Sequence, residues 1–153
     1  MNLFPWKKNR EFFSPEEKQS IVEAVQRAEQ CTSGEVRVFV ERRCRYVNAI
    51  DRAIEIFEQL KMNQTKDRNA VLVYVAMRDR QLAIFGDEGI HKKVGNEYWA
   101  MEVVKMINTF NHDNVVQGII QCVQDIGLAL KEHFPYDLET DKNELPDDIV
   151  FGR

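Results

Sequence analysis

Two short acidic stretches, Asp67-Arg68-Asn69 and Asp87-Glu88, are the residues of this 153-residue chain best suited to shared chemistry. Hard divalent cations take several oxygen ligands at once, from carboxylates, amides and carbonyls. For these two stretches to share an ion, the chain must reverse between them. Ala70 to Met77 is a short, continuous, β-branched apolar run, and Gln81 to Phe85 is the returning strand. With Arg78-Asp79 as a tight turn between them, the pair reads as a β-hairpin. In that antiparallel register Ala70 faces Asp87 and Asn69 faces Glu88. Asp67, Asn69, Asp87 and Glu88 are therefore expected at one end of the hairpin, as a candidate site for calcium or magnesium. Lys66 and Arg68 stand among them and can neutralise the acids instead, and Asp and Asn also serve turns and caps. His91 follows closely.

Other patterns lack their structural context. Cys31-Thr32-Ser33-Gly34-Glu35-Val36-Arg37 fits C-x-x-G-x-x-R, the phosphate loop of cysteine phosphatases. That loop needs a strand before the Cys and a helix after it, whose N-terminus holds phosphate and lowers the thiol pKa. Here a helix pattern precedes Cys31 and a strand pattern holds Arg37, while Glu35 and Glu41 repel phosphate. Asp137-x-Glu139-x-Asp141 opens like a calcium loop, but Lys142 replaces the glycine at position six and Asp148 the glutamate at position twelve. It reads as a solvated acidic tail. His91, His112 and His133 have no metal-ligand spacing. No Walker loop, G-x-G-x-x-G or G-x-S-x-G occurs, so nucleotide binding and serine-hydrolase chemistry have no support. Cys31, Cys44 and Cys122 form no CxxC pair and are odd in number, which reads as three small, mostly buried thiols in a reducing compartment.

The elements that position these residues follow from periodicity. Ser14-Pro15-Glu16-Glu17 starts a helix with a capping box and Pro at its first position. Ile21, Val25 and Ala28 recur at helical spacing, and Gly34 is expected to end the helix as a left-handed cap. Glu35 to Glu41 alternates as a strand with one buried face. Val47, Ile50, Ile54 and Phe57 mark a second helix ending near Lys61. Gly86-Asp87-Glu88-Gly89 reads as a loop. Asn96 caps a third helix, apolar on two sides and so expected to be deeply buried. Asp113 or Asn114 caps a fourth, with Val116, Ile119, Ile120, Val123, Ile126 and Leu130 as its stripe. A short fourth strand is expected near residues 42–46. The sum is an α/β fold, a three-layer α/β/α sandwich with a small mixed sheet of three to four strands and four helices.

Composition sets the class. The chain is 44% hydrophobic and 30% charged, as one globular domain is. A formal net charge of −4 gives no support to nucleic-acid binding. No run approaches a membrane span or a signal peptide, which places the chain in the cytoplasm, peripheral to a membrane at most. The organisation reads as an N-terminal arm over 1–13, a domain over 14–135 and an acidic tail over 136–153. The arm mixes Phe4, Trp6, Phe12 and Phe13 with Lys7, Lys8 and Arg10. Its aromatics are expected to pack on the domain, and Leu145, Ile149 and Phe151 can dock the tail.

Taken in order, the helix over 14–34, Gly34-Glu35-Val36-Arg37-Val38, Asp67-Arg68-Asn69-Ala70-Val71-Leu72-Val73-Tyr74-Val75-Ala76 and Arg80-Gln81-Leu82-Ala83-Ile84-Phe85-Gly86-Asp87-Glu88-Gly89-Ile90 form a distributed signature, completed by Trp99, Phe110 and Gly118. It resembles the TPM-domain family over about residues 12–135. The resemblance implies a three-layer α/β/α domain, divalent-metal binding, notably of calcium, beside the asparagine motif, and, from a plant relative, phosphatase activity and photosystem maintenance. Asn69 matches the motif asparagine. The acidic position before it is Arg68 here, the motif glycine is Ala70, and Asp67 is displaced by one. A positive charge at that position opposes a cation by like-charge repulsion. The first reading is therefore a non-enzymatic binding or accessory domain, with weak calcium or magnesium binding, that docks a membrane-associated or protein partner. The alternative is a metal-dependent phosphatase in which Asp67, Asp87 and Glu88 hold a cation that polarises a phosphoryl oxygen and activates water.

Overall fold

The computed structural model describes residues 12–111, 114–136 and 149–152. The expectations for Phe4, Trp6, Lys7, Lys8, Arg10, His112, Asp113, Leu145 and the 137–148 acidic pattern lie outside them. In chain order the elements are α1 (Pro15–Glu29), β1 (Glu35–Glu41), α2 (Ala49–Gln59), a 3₁₀ turn (Met62–Gln64), β2 (Ala70–Ala76), β3 (Gln81–Gly86), α3 (Glu88–Val94), α4 (Asn96–Phe110), α5 (Val115–His133) and β4 (Val150–Phe151). The sheet order is β3-β2-β1-β4, with β1 parallel to both β2 and β4, and β3 antiparallel to β2.

The sheet separates two apolar layers. Val36, Val38 and Val40 of β1 and Val71, Val73 and Val75 of β2 pack with Ile21, Val25, Met106, Ile119, Val123 and Leu130 of α1, α4 and α5. On the other face Phe39, Leu72 and Tyr74 pack with Ala53, Ile56 and Phe57 of α2. This is the three-layer α/β/α arrangement. It buries all seven residues of β1, where alternation led to one buried face. The polar positions are accommodated by pairing. Arg52 of α2 grips Glu41 through Nε and Nη2, both at 2.9 Å, and the Tyr74 hydroxyl donates to the same carboxylate. A carboxylate this buried is stable only when paired and hydrogen-bonded.

Several local expectations change. Ser14 caps α1 in a reciprocal box with Glu17, as read. Gly34 is not a left-handed cap; α1 ends at Glu29, and a Cβ on Gly34 would come within 2.7 Å of Leu130 Cδ2 and 3.1 Å of the Asn69 carbonyl oxygen. Close approach, not backbone conformation, requires the glycine. Val47 lies outside α2, which begins after extended Asn48, and is 95% exposed. Asn96 is the first residue of α4, whose N-cap is Gly95 at φ 81°. That helix is buried along Trp99, Glu102 and Met106 only; Met101 and Val104 face outward, because α5 and the sheet cover a single side. Residues 42–46 form a loop, and the fourth strand comes from the C-terminus, where Val150 and Phe151 pair with Phe39 and Val40. Ile149 is buried beside it, and Phe12 stacks on Phe151 at 6.2 Å. Phe13 is in the main core. Cys44 and Cys122 are buried, but Cys31 is exposed after the end of α1. Among the described residues no helix is long and apolar enough to cross a membrane.

Thr32 ties the end of α5 to the start of β1. Its buried hydroxyl accepts the Gly34 N–H at 3.0 Å and reaches the Leu130 carbonyl at 3.1 Å, and Thr32 bridges to Pro135. Thr32→Val keeps the shape and removes the hydroxyl. The expected loss is about 1–3 kcal/mol, the penalty for stranding buried polar groups, read as a lower denaturant midpoint at unchanged m-value.

Candidate functional site

The hairpin has the expected register: Val71 faces Gly86 and Ala76 faces Gln81, joined by the four-residue connection Met77 to Arg80. The Asp87 N–H donates to the Ala70 carbonyl at 2.9 Å, so the two acidic stretches do meet. Two features hold them there. Arg68 takes the left-handed conformation at φ 51°, turning the chain sharply before β2. Its carbonyl then accepts from Gly89 N at 2.8 Å and from Ile90 N at 3.4 Å. These are first-turn amides of a helix, donors with no partner inside the helix itself.

That helix, α3, brings the α-helices among the described residues to five rather than the expected four, and it begins inside 86–89, where the sequence predicts a loop. Asp87 is its N-cap and accepts the Glu88 N–H on Oδ1 at 2.8 Å. Gly89 is present for proximity rather than flexibility. A Cβ there would lie 2.1 Å from the Asp67 carbonyl oxygen and 2.6 Å from that of Arg68.

The side chains sort differently from the backbone. Arg68 binds Asp87 in fork geometry, Nε to Oδ2 at 2.7 Å and Nη2 to Oδ1 at 2.9 Å, and reaches Glu88 Oε1 with Nη1 at 3.3 Å. The Asp87 side chain is 4% exposed and that of Arg68 40%. Paired guanidinium and carboxylate forks are strong and directional, and the Asp87 contact raises the already high pKa of Arg68. Asn69 is buried, and its amide turns the other way, donating to Ser33 Oγ at 3.1 Å. Asp67 is exposed. Thus Asp87 and Glu88 converge on one positive charge, which is Arg68. Among the described residues no group of three or more His, Cys, Asp or Glu side chains is placed to hold a metal ion. The donor set does not fit a divalent cation as it stands, since both Asp87 oxygens already serve a guanidinium and the helix cap.

Beside the ion pair lies a cleft of about 550 Å³. Ile50, Ile84, Phe85 and Trp99 form its apolar walls, and Arg68, Asp87, Glu88, His91 and Asn96 its polar rim. Trp99 Nε1 donates to His91 Nδ1 at 3.0 Å. Neutral His91 therefore carries its proton on Nε2. Trp99 is seated by Gly86, where a Cβ would lie 2.3 Å from the indole ring. Trp99 was not singled out for this role, although the small residue of Gly86 at the end of a strand signals a close neighbour.

A family model described as the TPM domain matches residues 7–129. The chain belongs to the TPM-domain family. The NMR structure of the BA42 protein from the psychrophilic bacterium Bizionia argentinensis is similar to it, with a TM-score of 0.84 and 38% identity over 92% of this chain and 96% of that one. No curated protein matches. Within this TPM domain, Arg68, the residue just before Asn69, is the one that clamps Asp87.

Proposed function

We propose that this TPM domain is an accessory binding module that works by holding a ligand rather than turning one over, with the cleft beside Arg68 and Asp87 as its site. The two-point grip of Arg68 on Asp87 carries the reading. A carboxylate engaged on both oxygens is poorly placed to ligate an ion, attack phosphorus or accept a proton. Calcium or magnesium at Asp67, Asn69, Asp87 and Glu88 must displace the guanidinium first, so binding there is weak. A cleft with apolar walls and a few polar groups on one rim suits a small organic ligand. Docking through the aromatic arm and acidic tail belongs to the same proposal.

Titration of the full chain with Ca²⁺ and Mg²⁺, followed by backbone amide shifts, tests it. Shifts are expected at residues 66–69 and 86–91, and only at roughly millimolar ion or above, the weak end of protein calcium sites. Tight binding at those residues would overturn the reading, and so would shifts confined to 137–148. Phosphomonoester hydrolysis lost in Asp87→Ala would establish the phosphatase instead.

A further inference from the structure

We propose that the C-terminal end of the parallel strands is a docking face for a bilayer surface rich in anionic lipid. Five of the eleven arginines, Arg42, Arg43, Arg45, Arg78 and Arg80, gather there in a chain of net charge −4. The parallel pairing of β1 with β2 puts Glu41 beside Ala76, so the segments that follow both strands leave the sheet side by side. They are then joined: Arg78 N donates to the Arg42 carbonyl at 2.8 Å, and Cys44 N to Asp79 Oδ2 at 2.8 Å. Arg43, Arg45, Arg78 and Arg80 are exposed. The nearby acids do little to neutralise them. Among the described residues Glu41 and Glu55 are held by Arg52, and Asp51 and Asp79 stand beside the five arginines.

The second observation is apolar. Val47, at 95% exposure, stands on the same loop as Arg43 and Arg45, next to half-exposed Tyr46. A cleft of about 530 Å³ opens there, lined by Arg43, Arg45 and Tyr46 and by Arg52 with its paired Glu41 and Glu55. An aliphatic tip flanked by cations meets its complement where an anionic headgroup layer overlies hydrocarbon. The arginines then pair with lipid phosphates, Tyr46 sits at headgroup depth and Val47 enters the acyl boundary. Nucleic acid or an acidic protein would satisfy the arginines and leave Val47 in water. This face is at the opposite end of β2 from Arg68. It shares with the reading above only the premise that the domain works by attachment, and the variants below leave the Arg68 cleft intact.

The test is flotation of the full chain with vesicles of phosphatidylcholine, alone or mixed with phosphatidylglycerol, at low and raised salt. Binding is expected only to the anionic vesicles, weakening with salt as surface electrostatics do. Arg43→Glu with Arg45→Glu should lower it at least about tenfold, since each arginine contributes near the surface. Val47→Ser, which touches no charge, should lower it severalfold, with the melting temperature of each variant unchanged. Absence of anionic-vesicle binding overturns the proposal. So does binding that survives the arginine reversal, as an effect of the N-terminal arm would. Soluble polyglutamate that competes fully, with Val47→Ser without effect, overturns it in favour of an acidic protein.

Discussion

Gly89→Ala is expected to lower stability by roughly 2–4 kcal/mol and to open the Arg68 clamp. Overpacking typically costs about 1–3 kcal/mol and occasionally more, and the upper end applies where the neighbour cannot yield. Here the neighbours are backbone: a Cβ would meet the Asp67 carbonyl oxygen at 2.1 Å and that of Arg68 at 2.6 Å. The two chains cannot part without losing the bond from Gly89 N to Arg68 O, which fixes the turn presenting the guanidinium. For a domain of this size the loss corresponds to a melting temperature lower by about 5–15 °C. Amide shifts should spread through residues 65–69 as well as 86–91. A variant that melts within a degree of wild type would mean that α3 does not begin against Arg68.

Glu102→Gln is expected to stabilise the chain at neutral and alkaline pH and to flatten its pH dependence. Glu102 is 3% exposed on the core side of α4. Lys105 Nζ donates to its Oε2 at 3.1 Å and to Asp125 Oδ2 of α5 at 3.4 Å, while Oε1 is buried with no hydrogen-bond partner among the described residues. Burial first, then the neighbouring Asp125 carboxyl, push the Glu102 pKa up to about 7. Buried Cys122 and partly buried Tyr98 line the same seam, and burial first raises both above their ordinary values. Below about pH 4.5 the folded and unfolded chains both hold the Glu102 proton. Between there and about pH 7 the folded chain keeps a proton that the unfolded chain releases, so stability falls as pH rises. Above that window the penalty is constant. Allowing for Lys105 and solvent, it is on the order of 1–3 kcal/mol. Melting temperatures of wild type and Glu102→Gln should diverge as pH rises from about 4.5 to about 7, the variant being higher, and keep a constant difference above that. Parallel curves across the range would show that Glu102 is not protonated in the fold.

The sequence carried the hairpin register because alternation and a central turn admit few pairings, and Ala70 opposite Asp87 followed from it. The side-chain outcome was harder to read. Arg68 is legible as a neutralising charge, but its two-point grip depends on a left-handed backbone and on α3 starting at Glu88. In Gly86-Asp87-Glu88-Gly89 the glycines suggest a loop, whereas both are selected for closeness, to Trp99 and to Asp67. Asp87 is a helix cap within it. Glu102 was visible in principle, since it shares helical spacing with Trp99 and Met106 and so sits on a buried stripe. Val47 fitted the periodicity of α2 yet falls before its first turn, a boundary that extended Asn48 sets and apolar spacing does not. The arginine-rich end requires β1 and β2 to be parallel neighbours, which neither Arg42-Arg43-Cys44-Arg45 nor Arg78-Asp79-Arg80 states alone.

The most direct test is calcium affinity of the wild-type chain against Arg68→Gly and Arg68→Lys, measured by calorimetry. Glycine tolerates the left-handed backbone and adds no ligand, so Arg68→Gly removes the resident charge alone. If Arg68 fills the place of a cation, Arg68→Gly binds Ca²⁺ at least about tenfold more tightly than wild type, by removal of like-charge repulsion, and Arg68→Lys shows no such gain. Equal or weaker binding by Arg68→Gly would contradict the account.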